Sequence, residues 1–115
     1  MSDQMTLLST LRSVTPRPGS EAVLAEDVLA ALRGAGLDPT HEAKLSRGRV
    51  DLRIGPIAIE LKVKGSAERV LAQLARYAED PEITSVILVT SSAKHRLMPS
   101  TVGGLPLTVV YLPRL

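Results

Sequence analysis

Asp51, Glu60 and Lys62 are the residues of this chain best placed by type and spacing to do chemistry together. They lie in the stretch DLRIGPIAIELKVKG, Asp51 to Gly65, which reads as two short apolar strands joined at Gly55-Pro56. Antiparallel pairing about that turn sets Asp51 opposite Glu60, with the two carboxylates on one face at cross-strand distance. Lys62 follows Glu60 by two residues and projects on the same face. Carboxylates held that close repel one another unless a cation lies between them, and hard divalent ions such as Mg²⁺ take such oxygen ligands. A lysine beside them can orient or activate a metal-bound water, or stabilise a developing negative charge. The same spacing also suits a structural salt-bridge cluster on a half-exposed sheet. A second Glu-x-Lys triplet, Glu42 to Lys44, lacks an upstream Asp on a paired strand, so the triplet alone carries little information.

The elements that must hold these residues follow from hydropathy and punctuation. Residues 1–19 read as a lead-in, ended by the loop VTPRPGS, and the domain proper is expected over residues 20–115. Ser20 suits an N-cap, and Leu24, Val28 and Leu32 form the apolar stripe of a first helix that Gly34, Gly36 and Pro39 terminate. Thr40–Ser46, Arg49–Ile54 and Ile57–Lys64 read as three strands in an antiparallel meander. In the second, Val50, Leu52 and Ile54 are expected on one face. In the third, Ile57, Ile59, Leu61 and Val63 share a face opposite Ala58, Glu60, Lys62 and Lys64. A second helix follows, capped by Ser66, with Val70, Leu71, Leu74 and Ala78 as its stripe. It crosses over to a strand at 83–91, whose continuous Val86–Val89 run suits burial on both faces. After a loop with one helical turn comes a last strand over 106–112. The expected fold class is α/β, an α+β mixed sheet in the order α-β-β-β-α-β-β.

Composition narrows the class. The chain has 115 residues, the size of one ordinary domain, and 44% are hydrophobic, enough for a core. With no Phe or Trp, that core must be Leu, Val, Ile and Ala. With no Cys, disulfides and thiolate metal sites are excluded. A net charge of +2 permits a nucleic-acid partner without demanding one. The N-terminal residues lack the pattern of a secretory signal, and no apolar run reaches membrane-spanning length. A cytoplasmic protein without a membrane partner is the expectation. No phosphate-binding, dinucleotide-binding or paired-His metal motif competes, and no nucleophile elbow presents a serine.

Asp51, then Glu60-Leu61-Lys62 on the next strand, then a helix, resembles the PD-(D/E)xK nuclease superfamily over residues 20 to about 112. Val50 stands where the namesake proline would be. Many members carry a glutamate in the first helix that points into the site. Glu21 fits because it precedes Leu24, Val28 and Leu32 at helical spacing, whereas Glu26 lies off that stripe. An acid in the first helical turn is also favoured by the helix dipole alone. RecB-like members carry Q-x-x-x-Y on the second helix, and Gln73 and Tyr77 stand there one turn apart.

The resemblance implies a restriction-endonuclease-like core and a Mg²⁺- or Mn²⁺-dependent endonuclease acting on DNA phosphodiester bonds, with no organic cofactor. It implies Asp51 and Glu60 as metal ligands, the Leu61 carbonyl as a third, and Glu21 completing the shell. It implies Lys62 as the catalytic lysine, with Gln73 positioning that lysine or the phosphate. Small stand-alone members include Holliday-junction resolvases, which work as dimers, and VRR-Nuc-type nucleases. A homodimer is therefore expected, since cleavage of branched or duplex DNA needs two sites. Arg47, Arg49, Lys64, Arg76 and Tyr77 are candidate nucleic-acid contacts, with Arg53 and Arg69 close by. His95, between Lys94 and Arg96, is a weak metal candidate and a fair phosphate candidate, although a plain loop histidine fits better. The alternative function is a catalytically inactive module that keeps the nuclease fold for DNA binding or protein assembly. Intact Asp51, Glu60 and Lys62 argue against it.

Overall fold

The computed structural model describes residues 3–113. Helix α1 (Asp3–Arg12) is followed by α2 (Glu21–Gly34), then β1 (Thr40–Leu45), β2 (Gly48–Ile54) and β3 (Ile57–Lys62). Helix α3 (Ala67–Tyr77) leads to β4 (Ser85–Thr90), a 3₁₀ turn (Ala93–His95), β5 (Thr101–Val102) and β6 (Leu105–Tyr111). The fold class is the mixed α/β arrangement expected. The helix, three strands, helix and two strands read from the sequence are present, and α1 and β5 are added to them.

The caps act as their residue types require. The Ser20 and Ser66 hydroxyls accept the backbone N–H groups of Val23 and Arg69 at the starts of α2 and α3. At the end of α2, Gly36 takes a φ of 83°, so that Leu37 N–H reaches back to the Leu32 carbonyl at 3.0 Å.

The six strands lie in the order β1-β2-β3-β4-β6-β5. β1–β2–β3 form an antiparallel meander, and α3 carries the chain over so that β4 runs parallel to β3, with β6 parallel to β4. Between β2 and β3, Gly55 supplies the positive φ (54°) that a two-residue hairpin turn of the primed type requires. β4 is buried from Val86 to Thr90, as its continuous apolar run anticipates.

The sheet separates two apolar layers. One packs Leu24, Val28 and Leu32 of α2 on Leu52, Ile59, Leu61, Ile87 and Val89. Leu7 and Leu11 of α1 join this layer and are 1% and 0% exposed. The packed unit therefore begins before Ser20. The proline-containing loop that follows α1 does not detach it, because its leucines at positions 7 and 11 form one stripe that α2 and the sheet bury. The other layer packs Val70, Leu74 and Tyr77 of α3 on Ala43, Leu45, Val50, Ala58, Val86 and Leu88.

One expectation about faces fails. Val50 belongs to the α3 layer, whereas Leu52 and Ile54 belong to the α2 layer. The β1–β2 register runs Thr40↔Arg53, His41↔Leu52, then Ala43↔Val50, passing over Glu42 and Asp51. Glu42 sits at φ 54°, in the left-handed region. One irregular residue in each strand shifts the alternation, so the flanking side chains exchange faces.

Candidate functional site

The irregularity at Asp51 is where the charged residues gather. The β2–β3 ladder pairs Ile54↔Ile57, Arg53↔Ala58 and Leu52↔Ile59, a register that brings Asp51 to Glu60 next. Here side chains take over backbone hydrogen bonding. The Asp51 N–H donates to Glu60 Oε1 at 3.2 Å, and the Leu61 N–H donates to Asp51 Oδ2 at 2.8 Å. Each carboxylate thus receives a backbone donor from the opposite strand. Lys62 Nζ lies 3.5 Å from Glu60 Oε2. Asp51, Glu60 and Lys62 are brought together as the sequence anticipates, with Glu60 only 2% exposed and Asp51 half-buried.

Burial comes first in the electrostatics of Glu60. Loss of solvent, with the Asp51 carboxylate beside it, pushes the Glu60 carboxyl up to about 8, against the opposing pull of the Asp51 N–H and the Lys62 ammonium. Tyr77 stands over the same spot. Its ring is 2% exposed, and its hydroxyl donates to the Arg49 carbonyl at 2.7 Å while accepting from Gln73 Nε2 at 2.8 Å. Burial, then the charges of Glu60 and Asp51, hold the Tyr77 phenol well above its ordinary value.

On the opposite side, toward α2, a cavity of about 430 Å³ opens against Asp51 and Leu61. Glu21, Ala22, Ala25, Glu26 and Leu29 of α2 line it, together with His41 and Glu42 of β1. Half-buried Glu21 thus shares a cavity with Asp51 and Leu61, whereas Glu60 and Lys62 are not among its lining residues. Glu26 borders the same cavity but is exposed and pairs with Arg17 at 3.2 Å. Among the described residues, no group of three or more His, Cys, Asp or Glu side chains is arranged to hold a metal ion. The carboxylates lie in two sets that meet at Asp51, a buried pair with Glu60 and a cavity rim with Glu21 and Glu42.

Several expected contacts are placed elsewhere. Tyr77 is no surface for a nucleic acid, because its ring is packed in the α3 layer and its hydroxyl is bonded at both positions. Gln73 meets Tyr77, one turn on, because residues four apart on a helix are neighbours. Arg47 is exposed and paired with Glu79 at 2.6 Å, and Arg53 is paired with Glu82 at 3.0 Å. Arg49, Lys64, Arg69 and Arg76 are exposed. His95 is neither a metal nor a phosphate contact. It is fully buried, with Nδ1 2.7 Å from the Thr90 hydroxyl and Nε2 2.8 Å from the Gly65 carbonyl, so both ring nitrogens are engaged.

His41 and Glu42 are the cavity residues that sequence reasoning passed over. The signal was available, since the antiparallel meander carries Glu42 across from Asp51. The triplet Glu42 to Lys44 has no upstream aspartate, but its glutamate lies across from the downstream one. Comparison with protein-family models, with curated proteins and with solved structures finds no match.

Proposed function

We propose that this chain is a metal-dependent nuclease that hydrolyses DNA phosphodiester bonds, in the manner of the PD-(D/E)xK enzymes its motif resembles. The observation that carries the reading is the Asp51–Glu60–Lys62 cluster where β2 and β3 exchange backbone bonds for side-chain ones. A buried carboxyl pushed up to about 8, next to a second carboxylate, is a donor pair short of positive charge. That donor set fits a hard divalent cation such as Mg²⁺ or Mn²⁺, which would relieve the repulsion that one ammonium only partly offsets.

Asp51 and Glu60, with the Leu61 carbonyl, would hold the ion, and Glu21 would join through the shared cavity. When bound, such an ion supplies an activated water and charge stabilisation for phosphodiester hydrolysis. Lys62 keeps positive charge at the reacting phosphate, and Gln73 acts through Tyr77, whose hydroxyl ties α3 to the strand that bears Asp51. Exposed Arg49, Lys64 and Arg76 give salt-sensitive affinity for the polyanion. A homodimer in the cytoplasm, making paired cuts in duplex or branched DNA, completes the reading. No helix among the described residues is long and apolar enough to cross a membrane.

A second reading, a catalytically inactive module that keeps the same scaffold, draws on one observation. One oxygen of Asp51 and one of Glu60 already accept backbone N–H groups. Titration of Mn²⁺ into the wild type and Glu60→Ala separates the two. Saturable binding in the wild type that the variant loses, followed by Mg²⁺-dependent cutting of single-stranded, duplex, flap or four-way DNA, is the expected result. A wild type that binds no Mn²⁺ ends the nuclease reading, and one that binds Mn²⁺ but cuts nothing in the panel favours the inactive module.

A further inference from the structure

The three parallel strands β3, β4 and β6 end together. Lys62 is in register with Thr90, and Thr90 with Tyr111, so the sheet edge beside the Asp51–Glu60–Lys62 cluster is built from three chain exits. In open α/β sheets this carboxyl edge is where ligands are commonly received. The β4 exit forms a loop, Ala93 to Met98, which is pinned rather than loose. The Gly65 carbonyl can only accept, so in the neutral ring His95 Nε2 carries the proton and Nδ1 accepts from the Thr90 hydroxyl. That hydroxyl in turn receives the Ser92 N–H at 3.0 Å, and Ser91 N–H donates to the Lys62 carbonyl at 3.1 Å. A buried histidine thus fastens the loop to the last residue of β4 and to the segment that follows β3.

What this anchored loop presents is unusual. Leu97 is 95% exposed. Lys94 and Arg96 stand close to it in the chain, and the Arg96 guanidinium lies 5.3 Å over the Tyr111 ring. Among the described residues, the cations that form ion pairs are Arg17, Arg47, Arg53 and Lys62. Exposed Lys64, Lys94 and Arg96 therefore keep uncompensated charge on this edge, and no Asp or Glu follows Glu82 in the chain. An apolar side chain held out next to uncompensated cations matches a partner with anions outside and an apolar stack within. Duplex nucleic acid has that layout, and apolar wedges inserted at a base step recur among proteins that distort it.

We propose that the loop Ala93–Met98 is a DNA wedge: Lys94 and Arg96 hold backbone phosphates while Leu97 enters a base step beside the Asp51–Glu60–Lys62 cluster. The proposal rests on the nuclease reading and sharpens its substrate to double-stranded DNA with an openable step, as at a branch point. The test uses the full chain in EDTA, so that binding is read without cutting. The probe is a four-way junction carrying 2-aminopurine next to the branch, whose fluorescence rises when the base unstacks. Wild type is expected to bind and raise the fluorescence. Leu97→Ala, at an exposed position that leaves folding untouched, is expected to bind within about twofold of wild type and to lose most of the rise. Lys94→Ala with Arg96→Ala is expected to weaken binding about tenfold at low salt and to lower the slope of log affinity against log salt by about two.

A Leu97→Ala protein with the wild-type fluorescence rise, or a wild type that binds no junction, overturns the wedge. Cleavage in Mg²⁺ is scored separately. Unstacking that depends on Leu97 without any cutting leaves the wedge standing and removes the nuclease, whereas cutting with no contribution from Leu97 does the reverse.

Discussion

Glu60 carries a carboxyl with almost no access to solvent, a second carboxylate beside it and one ammonium 3.5 Å away. The direction of its pH effect follows from which state holds the proton. In the unfolded chain the group titrates at its ordinary value, and in the folded protein burial and Asp51 push it up to about 8. Between those values the folded state keeps a proton that the unfolded state has released, so stability falls as pH rises, by at most about 1.4 kcal/mol per pH unit. Glu60→Gln keeps the shape and cannot ionise. The expected outcome is that the stability difference between Glu60→Gln and wild type grows in favour of the variant from about pH 5 to about pH 8 and then levels off. Urea unfolding of both proteins across a pH series measures it, and a difference flat with pH would show that the carboxyl is not raised. If the carboxylate pair holds a cation, Mn²⁺ at pH 8 narrows the gap by stabilising the wild type alone.

At the scale of elements, α3 acts on the site through one hydroxyl. Tyr77 donates to the carbonyl of Arg49, two residues before Asp51, and so ties the helix to β2 where the ladder turns irregular. Tyr77→Phe leaves the ring packed and removes the donor. A loss of about 1 kcal/mol in urea unfolding is expected, since a partly buried carbonyl loses its partner. An unchanged free energy would mean that the hydroxyl does not hold the strand. The Q-x-x-x-Y spacing made the Gln73–Tyr77 contact legible in the sequence, but not the burial of the ring, which depends on where α3 lands on the sheet. The β2–β3 register was legible for a local reason: the two-residue turn at Gly55-Pro56 fixes it, and Ile57, Ile59 and Leu61 then fall on one face. The exchange of faces between Val50 and Leu52 was not legible, because it arises from carboxylates bonding across strands and from a left-handed glutamate at position 42. Position 95 gave no sign of burial either. A histidine between Lys94 and Arg96 looks solvated until the ends of β3 and β4 close around it.

At the scale of the whole molecule, a single sheet is covered on one face by α1 and α2 and on the other by α3, and Asp51 stands in the chain between Val50 of one layer and Leu52 of the other. The radius of gyration, 12.9 Å, is close to the roughly 13 Å expected of one compact domain of this length, leaving little room for a detached N-terminal arm. This makes α1 part of the support for α2 and, through it, for the cavity that Glu21 lines. The consequence is measurable far from any charge. Leu11 is fully buried, and Leu11→Ala is expected to cost about 2–5 kcal/mol, a large share of the roughly 5–15 kcal/mol available to a domain. Leu97→Ala is the matched comparison, the same deletion at a site 95% exposed, and is expected to stay within about 0.5 kcal/mol of wild type. Guanidinium unfolding of the two variants decides the matter. A Leu11→Ala midpoint as little shifted as that of Leu97→Ala would detach α1 from the core and return the start of the domain to Ser20. A large shift shared with Leu24→Ala on α2 would mark the two helices as one cooperative layer beneath the site.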